Sequence, residues 1–189
     1  MNKKISDKII TFLSISDETS AIKISYYLES ILGEIEKFIM LLIIFTALGY
    51  GLEGCIAIGV MLVLRPYLGG THFKSFWKCF AATLIITVVP VVASDYILPN
   101  YLFIIASMIV LLLLIFFAPV KSGFRIDYFG VVLVKIRLRG VFALTLLCMF
   151  FAISNENIRS LITYIMFELI IDFVIAACRN GVSSVKKKV

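Results

Sequence analysis

Long runs of apolar residues constrain this chain more than any other feature of its sequence. The run from Tyr101 to Ala118 contains no charged residue, and similar runs precede and follow it. Hydrophobic residues make up 61% of the 189 residues and the mean hydropathy is +1.07. Ordinary soluble domains contain only roughly 45–50% apolar residues. The sequence therefore predicts an integral membrane protein.

An all-α, polytopic helical bundle is the expected fold class, because an α-helix satisfies its own backbone hydrogen bonds inside a bilayer. Residues 1–36 mix helix-spaced apolar residues with charged ones, a pattern typical of an amphipathic helix on the membrane surface. No linker-like segment interrupts the chain, so residues 1–189 are expected to form one domain. A signal peptide is not expected, because Asp7 and Lys8 interrupt the apolar core that it would need. About four full spans are predicted, at residues 79–95, 101–118, 140–154 and 161–178.

Residues 38–64 form an apolar segment with three glycines near its centre and Glu53 as its one charged residue. Basic residues flank this segment on both sides, and basic flanks favour the cytoplasmic face. A single crossing would place one flank outside, so we predict a short N-terminal hydrophobic hairpin that turns between Gly49 and Gly54. Each arm has about 11–15 residues, fewer than the roughly 20 that a full span needs.

A segment rich in basic residues also follows Pro119, and residues 179–189 form a basic tail. Between Lys121 and Arg139, five basic residues accompany one acid, Asp127. Both segments are predicted to be cytoplasmic, and with the hairpin this places both termini in the cytoplasm. The four cysteines are scattered without CxxC spacing, so no disulfide framework is expected.

The segment RPYLGGTHFKSFWKC, residues 65–79, interrupts the apolar sequence with polar and basic residues. It contains the only histidine, His72, seven residues before Cys79. A cysteine nucleophile needs a neighbouring base, because only a few per cent of a free thiol is ionised at neutral pH. One straight helix would separate the two residues by about 10 Å, but Gly69 and Gly70 allow the backbone to bend. His72 and Cys79 are therefore candidates for a base and a nucleophile, and spacing alone equally allows a plain interfacial loop.

The pattern of Arg65, Gly69, Gly70, His72 and Cys79 resembles the AgrB family, the membrane cysteine endopeptidases of bacterial quorum-sensing systems. The likeness extends to chain length, the N-terminal surface helix, the first hairpin, and the basic loop and tail. It implies that Cys79 is the nucleophile, that His72 is its base, and that Arg65, Gly69 and Gly70 support the same motif. The basic flanks predict that the 65–79 segment lies at the cytoplasmic face, and the resemblance implies that the membrane is the bacterial cytoplasmic membrane.

The resemblance further implies a substrate, an AgrD-like precursor peptide with an acidic C-terminal tail. The enzyme would remove the tail through a thioester at Cys79 and permit cyclisation to a thiolactone or lactone signal. No cofactor and no nucleic-acid partner are implied, membrane lipid is an expected partner, and association as a homodimer stays open. Lipid headgroups are the default contacts of the basic segment. The residues of this basic segment that could instead contact the acidic tail of the substrate are Lys121, Arg125, Lys135, Arg137 and Arg139.

Glu168 and Asp172 suggest an alternative function. They lie four residues apart in the last predicted span, where a charged acid costs about 2.5–3.5 kcal/mol, so both are expected to face the bundle interior. They could form a structural pair, pair with a basic residue, or carry protons in a small proton-coupled transporter or peptide export protein. That alternative leaves the 65–79 segment without a role. A single histidine and the lack of an HExxH motif exclude a zinc peptidase, and no metal site is predicted.

Overall fold

The computed structural model describes residues 18–71, 75–120 and 130–186, and every regular element within these ranges is an α-helix. The predicted all-α class is confirmed. The helices are α1 (Glu18–Ala47), α2 (Gly51–Leu68), α3 (Phe76–Ala93), α4 (Asn100–Phe116), α5 (Gly130–Ile153) and α6 (Glu156–Lys186).

Four of these helices are long and apolar enough to cross a membrane, which confirms the polytopic helical bundle. They are α2, α3, α5 and the part of α6 from Glu156 to Arg179, while α4 is apolar but has 17 residues. By length and composition α2 is a candidate span, whereas the sequence predicted the second arm of a short hairpin for its residues. Helix α2 reaches that length by continuing through Arg65 and Pro66 to Leu68.

The described residues divide into two compact units, the first ending at Gly49 and the second beginning at Tyr50. In the first unit, α1 is continuous across residues 36–38, where the sequence suggested a boundary between a surface helix and the hairpin. Helical structure stops at Ala47 and resumes at Gly51, and Gly49 between them has φ of 85°, which glycine adopts readily. The helix break thus falls where the turn was predicted, and the hairpin itself stays a prediction.

Contacts between helix ends show that the five helices described in the second unit alternate in direction. Val120, after α4, bonds to Leu68 at the end of α2, and Leu98, before α4, bonds to Ser160 near the start of α6. Helix α6 is central, because it packs against α2, α3, α4 and α5. Half of its most apolar stretch is buried, compared with 28% in α5. Its buried side chains recur at helical spacing and include Leu161, Ile165, Leu169 and Phe173.

Gly140 allows α5 to approach its neighbours closely. A Cβ atom at this position would lie 2.8 Å from Cδ2 of Leu114 in α4 and 2.9 Å from Cβ of Tyr67 in α2. Small residues at such crossings let helix backbones approach in membrane bundles, where packing replaces the hydrophobic effect between helices. This contact fixes the N-terminal part of α5 beside the C-terminal parts of α2 and α4.

We call one end of the second unit the motif end, comprising residues 65–71, 75–79, 118–120 and Asp172, and the other the opposite end, comprising Tyr50 and residues 94–100 and 154–160. At the opposite end, the Leu98 amide donates a hydrogen bond to Oγ of Ser160 at 2.9 Å. The Tyr50 hydroxyl contacts Oδ2 of Asp95 at 3.4 Å, and the negative charge of Asp95 raises the pKa of Tyr50. These contacts join the start of α2 and the start of α6 to the α3–α4 connection.

Candidate active site

Gly69 reverses the chain at the C-terminus of α2. Its φ of 89° lies in a region that L side chains rarely adopt, and its amide donates to the Arg65 carbonyl at 2.9 Å. A Cβ atom on Gly69 would lie 3.0 Å from the backbone nitrogen of Val120, which itself donates to the Leu68 carbonyl at 3.0 Å. Glycine is therefore required here both by the backbone conformation and by the close approach of a second segment.

Gly70 is required for a different reason, because two charged groups occupy the space beside it. A Cβ atom on Gly70 would overlap Oδ2 of Asp172 and lie 3.0 Å from Nε of Arg65. These side chains form an ion pair, with 3.4 Å between Nη2 of Arg65 and Oδ2 of Asp172. The arginine and the glycine of the sequence motif are thus linked by an acid that lies outside the motif.

Thr71 completes a network with this ion pair. Its backbone amide and its hydroxyl both donate to Oδ1 of Asp172, at 3.0 and 2.6 Å, and its carbonyl accepts from Nη2 of Arg65 at 3.1 Å. Asp172 is only 2% exposed. Burying a carboxylate is unfavourable unless it is paired and hydrogen-bonded, and this arrangement supplies both kinds of partner. We call these three residues the Arg65–Thr71–Asp172 network.

Asp172 is the site residue whose role the sequence left open. Of the alternatives, pairing with a basic residue is what the structure shows. Glu168, one turn earlier on α6, is partly exposed and lies outside the network. The signal for Asp172 was present in the sequence, since an acid inside an apolar span requires a partner. The sequence did not say which of the many basic residues would provide it.

Cys79 lies in the first turn of α3, where its amide donates to the Ser75 carbonyl at 3.0 Å. It is buried on the same side of α3 as Thr83 and Thr87, whose hydroxyls donate to the carbonyls of Cys79 and Thr83 at 2.9 and 2.8 Å. The first turn of a helix carries the positive end of its dipole and favours negative charge. Because α3 begins at Phe76, Cys79 is not on one continuous helix with the preceding motif residues.

His72 lies outside the described residues, so its proximity to Cys79 stays a prediction. Lys121 and Arg125 also fall outside them. The residue just before Lys121 is Val120, and its hydrogen bond to Leu68 places the start of the basic segment beside the glycine pair. The chain thus enters the basic segment at the motif end.

Lys135, Arg137 and Arg139 lie on α5, although their sequence context predicted a loop. Arg137 donates from Nε to the Ala118 carbonyl at 2.9 Å and from Nη2 to the Phe116 carbonyl at 3.2 Å. Its guanidinium group therefore binds carbonyls that the end of α4 leaves without helical partners. Lys135 and Arg139 are exposed and lie one turn apart on α5.

The model of the accessory gene regulator B family, AgrB, matches residues 2–178. The chain belongs to this family. "Putative AgrB-like protein 1" of Clostridium perfringens (strain 13 / Type A) is 42% identical over 65 residues, which are 34% of this chain and 35% of that protein. The chain thus matches about a third of the length of this curated relative. No solved structure matches it.

Family membership confirms the resemblance predicted from the motif. The four long apolar helices described above are consistent with a membrane protein.

Proposed function

We propose that this AgrB protein is a membrane cysteine endopeptidase that removes the acidic C-terminal tail of an AgrD-like precursor peptide. The observation that supports this most directly is the position of Cys79. It is buried in the first turn of α3, directly after the connecting segment that begins with Gly69, Gly70 and Thr71. The other three cysteines lie within helices, and two of them, Cys55 and Cys178, are exposed.

The Cys79 thiolate attacks the carbonyl carbon at the junction between signal segment and tail. The peptide C–N bond breaks, His72 gives a proton to the leaving amine, and the signal segment remains on Sγ as a thioester. A Cys or Ser side chain of the substrate then attacks the thioester carbonyl and releases Cys79. The product is a thiolactone or a lactone, and the buried position of Cys79 favours this route by limiting access of water.

The motif end faces the cytoplasm in this proposal, because basic residues gather there. A precursor held on the membrane surface by its leader has a raised local concentration at such a site. Candidate partners for its acidic tail are Lys121 and Arg125 in the segment that follows Val120, and Lys135 and Arg139 on α5.

The test is co-expression with a precursor peptide, followed by mass spectrometry of the products. Cys79→Ala and His72→Ala should each abolish cleavage while the protein still inserts, and Cys79→Ser should retain a trace at most. Cys55→Ala, Cys148→Ala and Cys178→Ala are matched controls that should process normally. Full processing by Cys79→Ala would reject the peptidase.

A proton-coupled transporter or export protein is the alternative, and the same experiment separates the two functions. Transport through acids of the last helix would tolerate Cys79→Ala. The ion pair between Asp172 and Arg65 accounts for the buried acid without a transport cycle.

A further inference from the structure

We infer that Asp172 is a positioning residue for the peptidase site, acting from the last helix on the backbone at Thr71. Thr71 immediately precedes His72, so a carboxylate that fixes Thr71 also fixes where the histidine segment begins. The inference rests on the proposed function and adds to it a third residue, 101 positions away from Thr71 in the chain.

The hydrogen bonds to Thr71 restrain both its position and its rotation. One carboxylate oxygen, Oδ1 of Asp172, accepts from the amide at 3.0 Å and from the hydroxyl at 2.6 Å. The third polar group of Thr71, its carbonyl, is bound by Arg65 at 3.1 Å. Every hydrogen-bonding group of this residue therefore contacts a member of the ion pair.

The carboxylate of Asp172 makes shorter contacts with Thr71 than with Arg65. A strong arginine–carboxylate pair is short and often bidentate, whereas here the ionic contact is a single one of 3.4 Å. Within the described residues, Oδ2 of Asp172 and Nε of Arg65 are buried without a hydrogen-bond partner. The shortest contacts of Asp172 go to Thr71, as expected if holding that residue is its main role.

Fold stability alone gives little reason for an acid here. Buried ion pairs can often be replaced by apolar residues of similar volume without loss of stability, and an apolar residue would also enter a membrane span more easily. Gly70 must moreover stay without a side chain to leave room for the pair. These features together point to a requirement on the geometry of the segment that leads to Cys79.

The experiment compares two matched pairs of variants in lipid nanodiscs. Asp172→Asn removes the charge, and Glu168→Gln makes the same chemical change one turn earlier on α6. Thr71→Val removes only the hydroxyl that binds Asp172, while Thr71→Ser keeps it. Steady-state kinetics with a precursor peptide give kcat and KM, and thermal unfolding reports stability.

Asp172→Asn should lower kcat by about a hundredfold with KM changed less than about twofold, because a misplacement of about 1 Å has an effect of that size. Thr71→Val should lower kcat by about tenfold, Thr71→Ser should recover most of it, and Glu168→Gln should match the wild type. The inference fails if kcat of Asp172→Asn and Thr71→Val stays within about threefold of the wild type, whatever happens to the unfolding temperature. If Asp172→Asn does not insert into the membrane, the kcat values of Thr71→Val and Thr71→Ser decide whether the inference holds.

A second readout needs no substrate and separates this inference from the proposed function. In a protein with Cys79 as its one cysteine, the rate of iodoacetamide alkylation reports the reactivity of the thiol. Asp172→Asn and Thr71→Val should slow alkylation toward the rate of His72→Ala, while Glu168→Gln should not. Unchanged rates would reject the positioning role even if Cys79→Ala proves the peptidase, and slowed rates would support it even if processing assays fail.

Discussion

At the opposite end of the second unit, a helix cap and a single hydrogen bond between two segments hold the helix ends. Asn155 accepts a hydrogen bond from the Ile158 amide at 2.9 Å, and Ser160 accepts one from Leu98. At the motif end, by contrast, a buried ion pair binds the backbone of a neighbouring turn, and Gly70 has no space for a methyl group. The opposite end thus combines a local helix cap with single hydrogen bonds between segments, whereas the motif end contains a buried ion pair within a connected polar network.

The contrast indicates how sequence changes should act at each end. A lost helix cap costs about 1 kcal/mol and disturbs few other groups. Removing one partner of a buried ion pair costs roughly 3–5 kcal/mol, because the other charge is left unpaired. Folding does not require such a network, although the loss of one of its charges strongly destabilises the protein. We therefore assign function to the motif end.

Charge also distinguishes the two ends. The acids Glu53, Asp95 and Glu156 lie at or near the opposite end, with Arg159 beside them. Basic residues concentrate at the other end and, within the described ranges, include Arg65, Lys78, Lys135, Arg137, Arg139 and Arg179. The positive-inside rule therefore predicts that the motif end faces the cytoplasm.

The largest expected effect is an all-or-none difference in labelling between the ends. In a cysteine-free background, Lys78→Cys should react with an impermeant thiol reagent only after the cells are permeabilised. Tyr96→Cys and Asn157→Cys, at exposed positions of the opposite end, should react in intact cells. Labelling of Lys78→Cys from outside would reverse the orientation and remove the argument for a cytosolic substrate.

Gly70→Ala should lower processing by about a hundredfold, because the added methyl group displaces Asp172 or Arg65 and shifts the adjoining turn. Gly59→Ala is the matched control on α2, since a Cβ atom there meets nothing within 4 Å. Alanine also favours a helix over glycine by about 1 kcal/mol, so the control should be at least as stable as the wild type. Processing rates in membranes, normalised to protein amount, measure both. Equal rates for the two variants would show that Gly70 has room for a side chain after all.

Asn155→Ala should lower the unfolding free energy by about 1 kcal/mol and leave kcat unchanged, because it removes a helix cap far from Cys79. Asn155→Asp keeps an acceptor for the Ile158 amide and should keep the stability. Thermal unfolding in detergent and peptide kinetics on the same preparations test this. A clear change in kcat would mean that the two ends are coupled through α6.

Much of the fold followed from local sequence signals. Apolar runs predicted helices that cross a membrane, and the Gly49 region marked the break between α1 and α2. Charge patterns misled where tertiary contacts override them. The sequence ended an apolar segment before Arg65 because of its charge, yet α2 continues through it, and the pairing with Asp172 explains why that is tolerated. Likewise, residues 130–139 read as a basic loop but form the start of α5.

The candidate site was predictable in its parts but not in its connections. Arg65, Gly70 and Cys79 stand out within 15 residues of sequence, and the resemblance to the AgrB family groups them. Asp172 was visible only as an unexplained acid, because a contact across 101 residues leaves no local periodicity. The role of Arg137 was hidden for the same reason, since its partners are backbone carbonyls at the end of α4.

The smallest expected effects concern recognition of the acidic tail by exposed basic residues of the motif end. Exposed ion pairs contribute about 0–1 kcal/mol each, so Lys135→Gln with Arg139→Gln should raise KM by no more than about thirtyfold and leave kcat nearly unchanged. Arg137→Gln is the matched comparison. Its guanidinium group already binds the carbonyls of Ala118 and Phe116, so its loss should lower stability and not tail binding.

A charge reversal in the peptide decides whether Lys135 and Arg139 contact the tail at all. Lys in place of the tail acids should raise KM for the wild type and for Arg137→Gln, but much less for the double variant, whose attractive charges are already gone. The difference should shrink at high salt, because the screening length falls from about 10 Å at 0.1 M to about 3 Å at 1 M. If the reversal has the same effect on all three proteins, these two residues do not bind the tail. Their charge then serves membrane orientation, and the segment that follows Val120 becomes the remaining candidate for the contact.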